Sequence, residues 1–389
     1  MSDPTPKSAR RRLARLTAGA AALLCTLAVP AAAEAKWQIP VRGWGHGIGM
    51  SQWGAFGHAT NGIGYHAILG NYYTGTTVDP VPSETVRVLF RTGGSSYTFK
   101  HAIEACGRSL NKKSTYRAVR SGSSVLLRNS AGSTLKNCGG KLTAIGADSP
   151  TAGGRTIRFV TEDDTYRGNM EFGVRSAGGL RAVNAVGLDS YVKGVVPKEV
   201  PSSWPAAALK AQAVAARSYG IATTKGGNGW DHYRDTRSQV YGGYEAETAA
   251  TNSAVAGTAL RTVKHNGSVA TTFFFSTSGG KTEDIDCAWN TSPQPYLKGY
   301  KDKQYDQHSP VHKTTVTYTG AQMRSRLSGL FSGSFLGIDQ IKRCVDNGGF
   351  SGRIMTARVR GSSGSTTVSG DTLRNRLGLR STWASFNKI

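Results

Sequence analysis

Apolar positions along this chain change their spacing from one stretch to the next, and each spacing predicts a different element. Between residues 85 and 185 short apolar runs recur among Gly/Ser clusters: Val86-Arg87-Val88-Leu89-Phe90, Ser124-Val125-Leu126-Leu127 and Thr156-Ile157-Arg158-Phe159-Val160. Short runs bounded by turn residues at this interval predict a β domain. Residues 37–84 form a compact block rich in Gly, His and aromatics, in which Tyr65, Ile68, Leu69 and Tyr72 fall at helical spacing and predict a core-facing helix. Residues 186–285 hold the clearest helix: Ala206 to Tyr219 is an alanine-rich, strong helix former. The run Thr271-Thr272-Phe273-Phe274-Phe275 follows with the pattern of a buried strand, and the tail (311–389) returns to strands such as Thr314–Tyr318. The predicted class is α+β, with more strand than helix. It comprises a small β domain over 85–185 and a core over 186–389 that is completed by 37–84.

The N-terminus alters this picture. Arg10-Arg11-Arg12 and Arg15 precede an uninterrupted small-and-apolar run from Leu16 to Ala33, which ends in Ala31-Ala32-Ala33. A basic head, a short apolar stretch and an A-x-A site predict a cleaved signal peptide over 1–33. A membrane-spanning helix needs about 20 apolar residues, and Pro30 cuts this run short. The chain carries a net charge of +24; removing 1–33 takes five cations and one acid with it, leaving +20. Such a surface attracts any polyanion, and for an exported protein the polyanions at hand are anionic wall polymers, so no specific nucleic-acid partner is expected. Four cysteines remain after the leader: Cys106, Cys138, Cys287 and Cys344. An even number in an exported chain favours disulfides, with three connectivities open; proximity favours Cys106–Cys138 and Cys287–Cys344. No C-x-x-C or H-x-x-x-H spacing points to a metal, and nothing calls for a cofactor.

Candidate chemistry is concentrated in four stretches. In Val195-Val196-Pro197-Lys198-Glu199-Val200-Pro201, two prolines bracket Glu199 and predict a stiff, extended turn ahead of a helix. Val195, Val196, Val200 and Trp204 can desolvate the Glu199 carboxyl and raise its pKa, as a general acid requires. On the alanine-rich helix, Lys210, Val214 and Arg217 share a face, where the two cations suit an anionic substrate or structural carboxylates. In Gly43-Trp44-Gly45-His46-Gly47-Ile48-Gly49-Met50-Ser51-Gln52, every second residue up to 49 is glycine. An extended segment of this kind bares backbone to a ligand or second chain on one face and points His46 the other way. Ser276-Thr277-Ser278-Gly279-Gly280-Lys281-Thr282 offers hydroxyls and amides on a Gly-rich turn, suited to sugar hydroxyls or acetamido groups.

Taken together, these stretches resemble the SpoIID/LytB family. Val196-Pro197-Lys198-Glu199-Val200-Pro201, Leu209 to Tyr219, Gln239-Val240-Tyr241-Gly242-Gly243, and Phe275 to Thr282 with Trp289 and Pro295-Tyr296-Leu297 look like its successive motifs. Gly45 to Ala55 looks like its GHG-x-GMSQ hallmark, here placed ahead of the VP-x-E-x-P element rather than after it, as in a circular permutation; position 200 is Val where the family usually has Met. The resemblance implies a lytic transglycosylase acting on peptide-stripped peptidoglycan glycan strands, with Glu199 as the catalytic acid. His46, Ser51, Gln52, Lys210, Arg217, Gln239, Tyr241, Ser276, Ser278 and Thr282 are the candidate substrate-binding residues. A second expectation, from the LytB side, is a non-catalytic glycan-binding protein that stimulates a wall amidase.

Overall fold

The computed structural model describes residues 35–389, apart from Lys225, Asn228, Lys303, Asn347 and Gly348 and the side chains of 346 and 349–351. The expected leader lies outside these residues. The fold is a strand-rich α+β arrangement. Its helices are α1 (Gln52–Thr60), α2 (Tyr65–Tyr72), α3 (Leu188–Glu199), α4 (Ala206–Ala222), α5 (Ala249–Ala256), α6 (Ile285–Trp289), α7 (Gly320–Arg326) and α8 (Gly370–Leu377). Among the described residues, no helix is long and apolar enough to cross a membrane.

The alternating runs of 85–185 form one large, mostly antiparallel sheet. It runs through strands Ser124–Asn129, Thr115–Ser121, Ser96–Lys100, Gly154–Phe159, Lys141–Ser149, Asn169–Val174, Leu180–Gly187 and Thr85–Gly94. The short strand His232–Tyr233 closes it, joining Thr85–Gly94 in parallel. Period-two alternation sends Phe99, Leu127, Leu142, Phe159 and Phe172 to one core, and Leu188, Tyr191, Val192, Val195 and Val196 of α3 pack into the same cluster. Each such apolar side chain contributes about 1.5–3 kcal/mol on burial, so α3 is firmly seated on the sheet, and its last residue, Glu199, inherits that position.

Helix α4 is apolar nearly all round and is therefore buried on both sides. Leu209, Ala213 and Ala216 face the sheet core, whereas Ala211, Val214 and Ala215 face a second core with Ile48, Met50, Ile68, Leu69, Tyr72 and Tyr73. Alanine's small side chain is what lets α1 and α2 approach α4 so closely. A third core joins the two ends of the described chain. Strand Lys36–Arg42 pairs antiparallel with Lys313–Thr319, and Trp37, Ile39 and Val41 pack on Leu327, Val359, Leu373 and Leu377. The disulfides are Cys106–Cys138, within the sheet region, and Cys287–Cys344, which ties α6 to strand Phe335–Asp346.

The glycine run 43–49 is not the extended segment its spacing suggests. Gly43, Gly45, Gly47 and Gly49 all have positive φ, at 73°, 114°, 92° and 71°, a conformation that only glycine adopts readily. A Cβ on them would collide with the Thr277 carbonyl, Phe275, Arg353 and the Phe273 carbonyl respectively. The alternation therefore serves close contact with a second stretch of chain. Trp44 bridges to Thr277, Ile48 to Glu283, and Met50–Ser51 pairs in parallel with Phe274–Phe275.

Candidate active site

Glu199 does not sit on an extended turn. Helix α3 continues through Pro197, and Glu199 is its final residue; only Val200, ahead of Pro201, is extended (φ −139°, ψ 150°), as a residue before proline prefers. Proline in a helix interior costs about 3 kcal/mol. Here it falls in the last turn, and the buried apolar face of α3 outweighs that cost. The Oε1 of Glu199 accepts the backbone N–H of Val240 at 3.2 Å, and the Gln52 side chain hydrogen-bonds the same carboxyl. Burial raises the Glu199 pKa above the ordinary carboxyl value, and these two hydrogen bonds partly oppose the rise.

Gln52 reaches Glu199 because it opens α1. Ser51 caps that helix, its Oγ accepting the N–H of Gly54 at 3.1 Å and that of Ser278 at 3.2 Å. One hydroxyl thus locks the start of α1 to the Gly-rich turn. Gln52 is buried, with its Nε2 3.4 Å from Gln212 Oε1 on α4.

Glu199 opens into a cleft of about 370 Å³ whose walls include His46, Tyr219, Gln239, Phe273 and Trp289, with the hydroxyls of Thr236 and Ser238. Among the described lining residues, Glu199 is the only carboxylate. The Nδ1 of His46 accepts the Ile48 N–H at 3.0 Å, so the proton is on Nε2, which donates to the Phe274 carbonyl at 3.2 Å. Burial first, and the nearby Arg353 second, lower its pKa to about 3. His46 is thus a neutral, immobile wall of the cleft, unsuited to carrying a proton at neutral pH. Its ring lies 5.1 Å from that of Trp289 and 5.2 Å from that of Phe275. Gln239 donates to Tyr191 Oη and the Ala216 carbonyl, both at 3.2 Å, and its Oε1 is left without a partner. Trp289 stays 38% exposed and presents an aromatic surface beside the acid.

The structure brings His46, Gln52 and Gln239 to Glu199 and engages the other candidates elsewhere. Arg217 is fully buried; its Nε donates to Asp189 at 2.7 Å and its Nη1 to the Arg261 carbonyl at 2.9 Å. Lys210 lies against Gly257 at the end of α5. Tyr241 is buried and donates to Asn184 at 2.9 Å. Ser278 donates to Asp306 at 2.7 Å, Thr282 accepts the Tyr300 N–H at 2.8 Å, and Ser276 pairs with Thr277 at 3.1 Å. These polar groups meet the hydrogen-bonding needs of the fold itself. In the other direction, Tyr219, Thr236, Ser238 and Trp289 line the cleft and were not among the candidate site residues, although Tyr219 and Trp289 fell within the quoted motifs. The polar run Arg234 to Gln239, directly ahead of the Gln239–Gly243 motif, was the available signal for two of them.

Glu199 thus stands at the end of α3, in a cleft shared by a glycine loop and an aromatic wall. Residues 176–265 match the family model for SpoIID, described as stage II sporulation protein; they run from the end of the large sheet through α3, α4 and α5. The chain is 31% identical to stage II sporulation protein D of Bacillus subtilis (strain 168) over 218 residues, covering 52% of this chain and 60% of that protein. It is 32% identical to the protein of the same name from Bacillus amyloliquefaciens over 224 residues, 51% of this chain and 60% of that one. It is also 44% identical to the amidase enhancer of B. subtilis over 116 residues, 30% of this chain and 16% of the relative. Over residues 176–265 the chain is thus similar to a SpoIID domain. It spans between about a sixth and three-fifths of the length of these relatives.

Proposed function

We propose that this protein acts in the bacterial cell wall as a peptidoglycan lytic transglycosylase, cleaving glycan strands between N-acetylmuramic acid and N-acetylglucosamine. The observation that carries this is a single carboxyl, Glu199, desolvated in a cleft whose other described lining residues supply no second acid. Protonated Glu199 gives its proton to the glycosidic oxygen as the bond from the muramyl C1 breaks. The resulting carboxylate takes the proton of the muramyl 6-hydroxyl, whose oxygen closes onto C1. A 1,6-anhydro ring forms, the leaving sugar departs with a free hydroxyl, and Glu199 ends protonated with no water consumed. Hydrolytic glycosidases usually need two carboxyl groups flanking the bond, and one acid suits the intramolecular route better. The indole of Trp289 offers a surface for the apolar face of a sugar ring. The two disulfides and the expected leader are consistent with action outside the cytoplasm.

The second reading is a non-catalytic role in which the cleft holds glycan and the protein stimulates a wall amidase. It rests on the relative named amidase enhancer. Incubating the protein with peptide-free glycan and searching for anhydro-muramyl ends by mass spectrometry separates the two. Such ends, absent without protein, support cleavage. Their absence, with stimulation of an added amidase, supports the enhancer role.

A further inference from the structure

The Glu199 cleft adjoins further hollows in the surface. Thr236 and Val240 line both this cleft and the hollow next to it, which also takes in Lys198 and Arg234. Glu245 is shared by that hollow and the next, and Tyr244 by that one and a last cavity of about 540 Å³ on the large sheet. Residues of the 234–247 stretch thus line each of these hollows, from the acid towards the sheet region.

The far end differs in charge from the rest. The middle hollows hold both signs, with Asp164, Asp235 and Glu245 in one and Glu245 and Glu247 in the other. The last cavity is lined by Lys100, Lys112, Lys113 and Arg158, with no carboxylate among the described lining residues. Arg158 is paired with Asp163, whereas Lys100, Lys112 and Lys113 are exposed and have no acidic partner among the described residues. His101, in the same wall, holds a positive φ of 61° and is anchored to the Thr156 carbonyl through Nδ1 at 3.1 Å, a sparsely populated conformation for a non-glycine residue. Three exposed cations around a concave, hydroxyl-bearing surface, reached from the acid through hollows that share lining residues, suit an anion carried on a polymer.

We propose that the Lys100, Lys112 and Lys113 cavity is an exosite that reads the lactyl carboxylates of a peptide-stripped glycan strand whose scissile bond lies at Glu199. This rests on the glycan-strand reading above and adds its selectivity. Removal of stem peptides leaves a free carboxylate on every muramic acid, so a stripped strand presents regularly spaced anions to the cation cluster. The site lies away from the acid, and its contribution falls on affinity for long strands rather than on bond breaking. Being exposed, it weakens with salt.

The test is a binding measurement with the Glu199→Gln protein, so that no strand is consumed. It uses stripped glycan strands, the same strands with their carboxyls converted to methylamides, and a poly(glycerol phosphate) wall polymer. The Glu199→Gln protein is expected to bind the native strands about tenfold more tightly than the amidated ones at low salt. Adding Lys100→Ala, Lys112→Ala and Lys113→Ala should abolish that difference, as the sum of three modest exposed ion pairs. An unchanged melting temperature for the combined variant shows that the fold is intact. Equal binding of native and amidated strands overturns the proposal. Loss of poly(glycerol phosphate) binding alone also overturns it and assigns the cavity to phosphodiester polymers. Binding is read without turnover, so failure of the cleavage reading leaves this result interpretable, and the reverse holds.

Discussion

The carboxyl of Glu199 accepts the backbone N–H of Val240, 41 residues further along the chain, at 3.2 Å. The contact aims the last side chain of α3 at the loop that floors the cleft, and it stabilises the ionised form that burial disfavours. The balance leaves the pKa above the ordinary value, so the protonated form persists to higher pH than in an exposed glutamate.

Glu199→Gln is expected to retain fold and glycan binding and to lose cleavage by about 10²–10⁴-fold, the usual worth of a general acid–base group. The amide keeps an oxygen for Val240 N–H but has no proton to give and recover. Counting anhydro ends per unit time checks this. Retention of more than about a tenth of the rate would remove Glu199 from the mechanism, since that loss falls short of the acid–base range.

The same carboxyl sets a stability trend with pH. Its folded pKa is raised, so the native state binds the proton more tightly than the unfolded chain, and wild type loses stability as pH rises through the folded value. Glu199→Gln lacks this penalty. Its melting temperature should match or exceed that of wild type at neutral pH, with a margin that shrinks at acid pH. A margin that grows on acidification would contradict the assigned direction.

His46 works with the opposite sign. Its folded pKa of about 3 lies below the ordinary imidazole value of 6.5, so its contribution is full above about 6.5 and is lost as pH falls towards 3. Urea titrations across this window should show a shallower pH slope for His46→Gln. His46→Ala leaves the Ile48 N–H and the Phe274 carbonyl unpaired and should cost about 1–3 kcal/mol of stability. The pH dependence of cleavage should keep its shape in both variants, because the ring carries no proton in the reaction.

Arg217 tests whether a conspicuous cation near the motifs serves the fold. It is fully buried against Asp189 and the Arg261 carbonyl. Removing one member of a buried pair typically costs about 3–5 kcal/mol, so Arg217→Met should lower the urea midpoint sharply. A variant that stays as stable as wild type yet loses glycan affinity would return Arg217 to the binding residues.

Much of the architecture is local and can be read from spacing. Helix α2, with Ile68, Leu69 and Tyr72 buried, the alanine-rich α4 and the strands at 85–94, 124–129, 154–159 and 313–319 follow their periods. Both cysteine pairs are those that proximity favoured. The prolines around Glu199 misled where tertiary packing competed with propensity: burial of Val195 and Val196 carries α3 through Pro197.

Residue type and spacing made Glu199 one candidate acid, which the family resemblance then put forward; they also placed the polar motifs in 43–55 and 188–282 and defined the class as α+β, because hydrophobic period, propensity and turn chemistry act over a few neighbouring residues. Which of the polar side chains face a ligand depended on contacts between distant segments. His46 meets the Phe274 carbonyl 228 residues away, while Ser278 turns to Asp306 and Arg217 to Asp189. A serine or arginine in a motif looks the same in sequence whether its hydrogen bonds go to substrate or to buried backbone and carboxylates. Only the folded chain, where every buried donor and acceptor must find a partner, separates those groups from the few left to line the cleft.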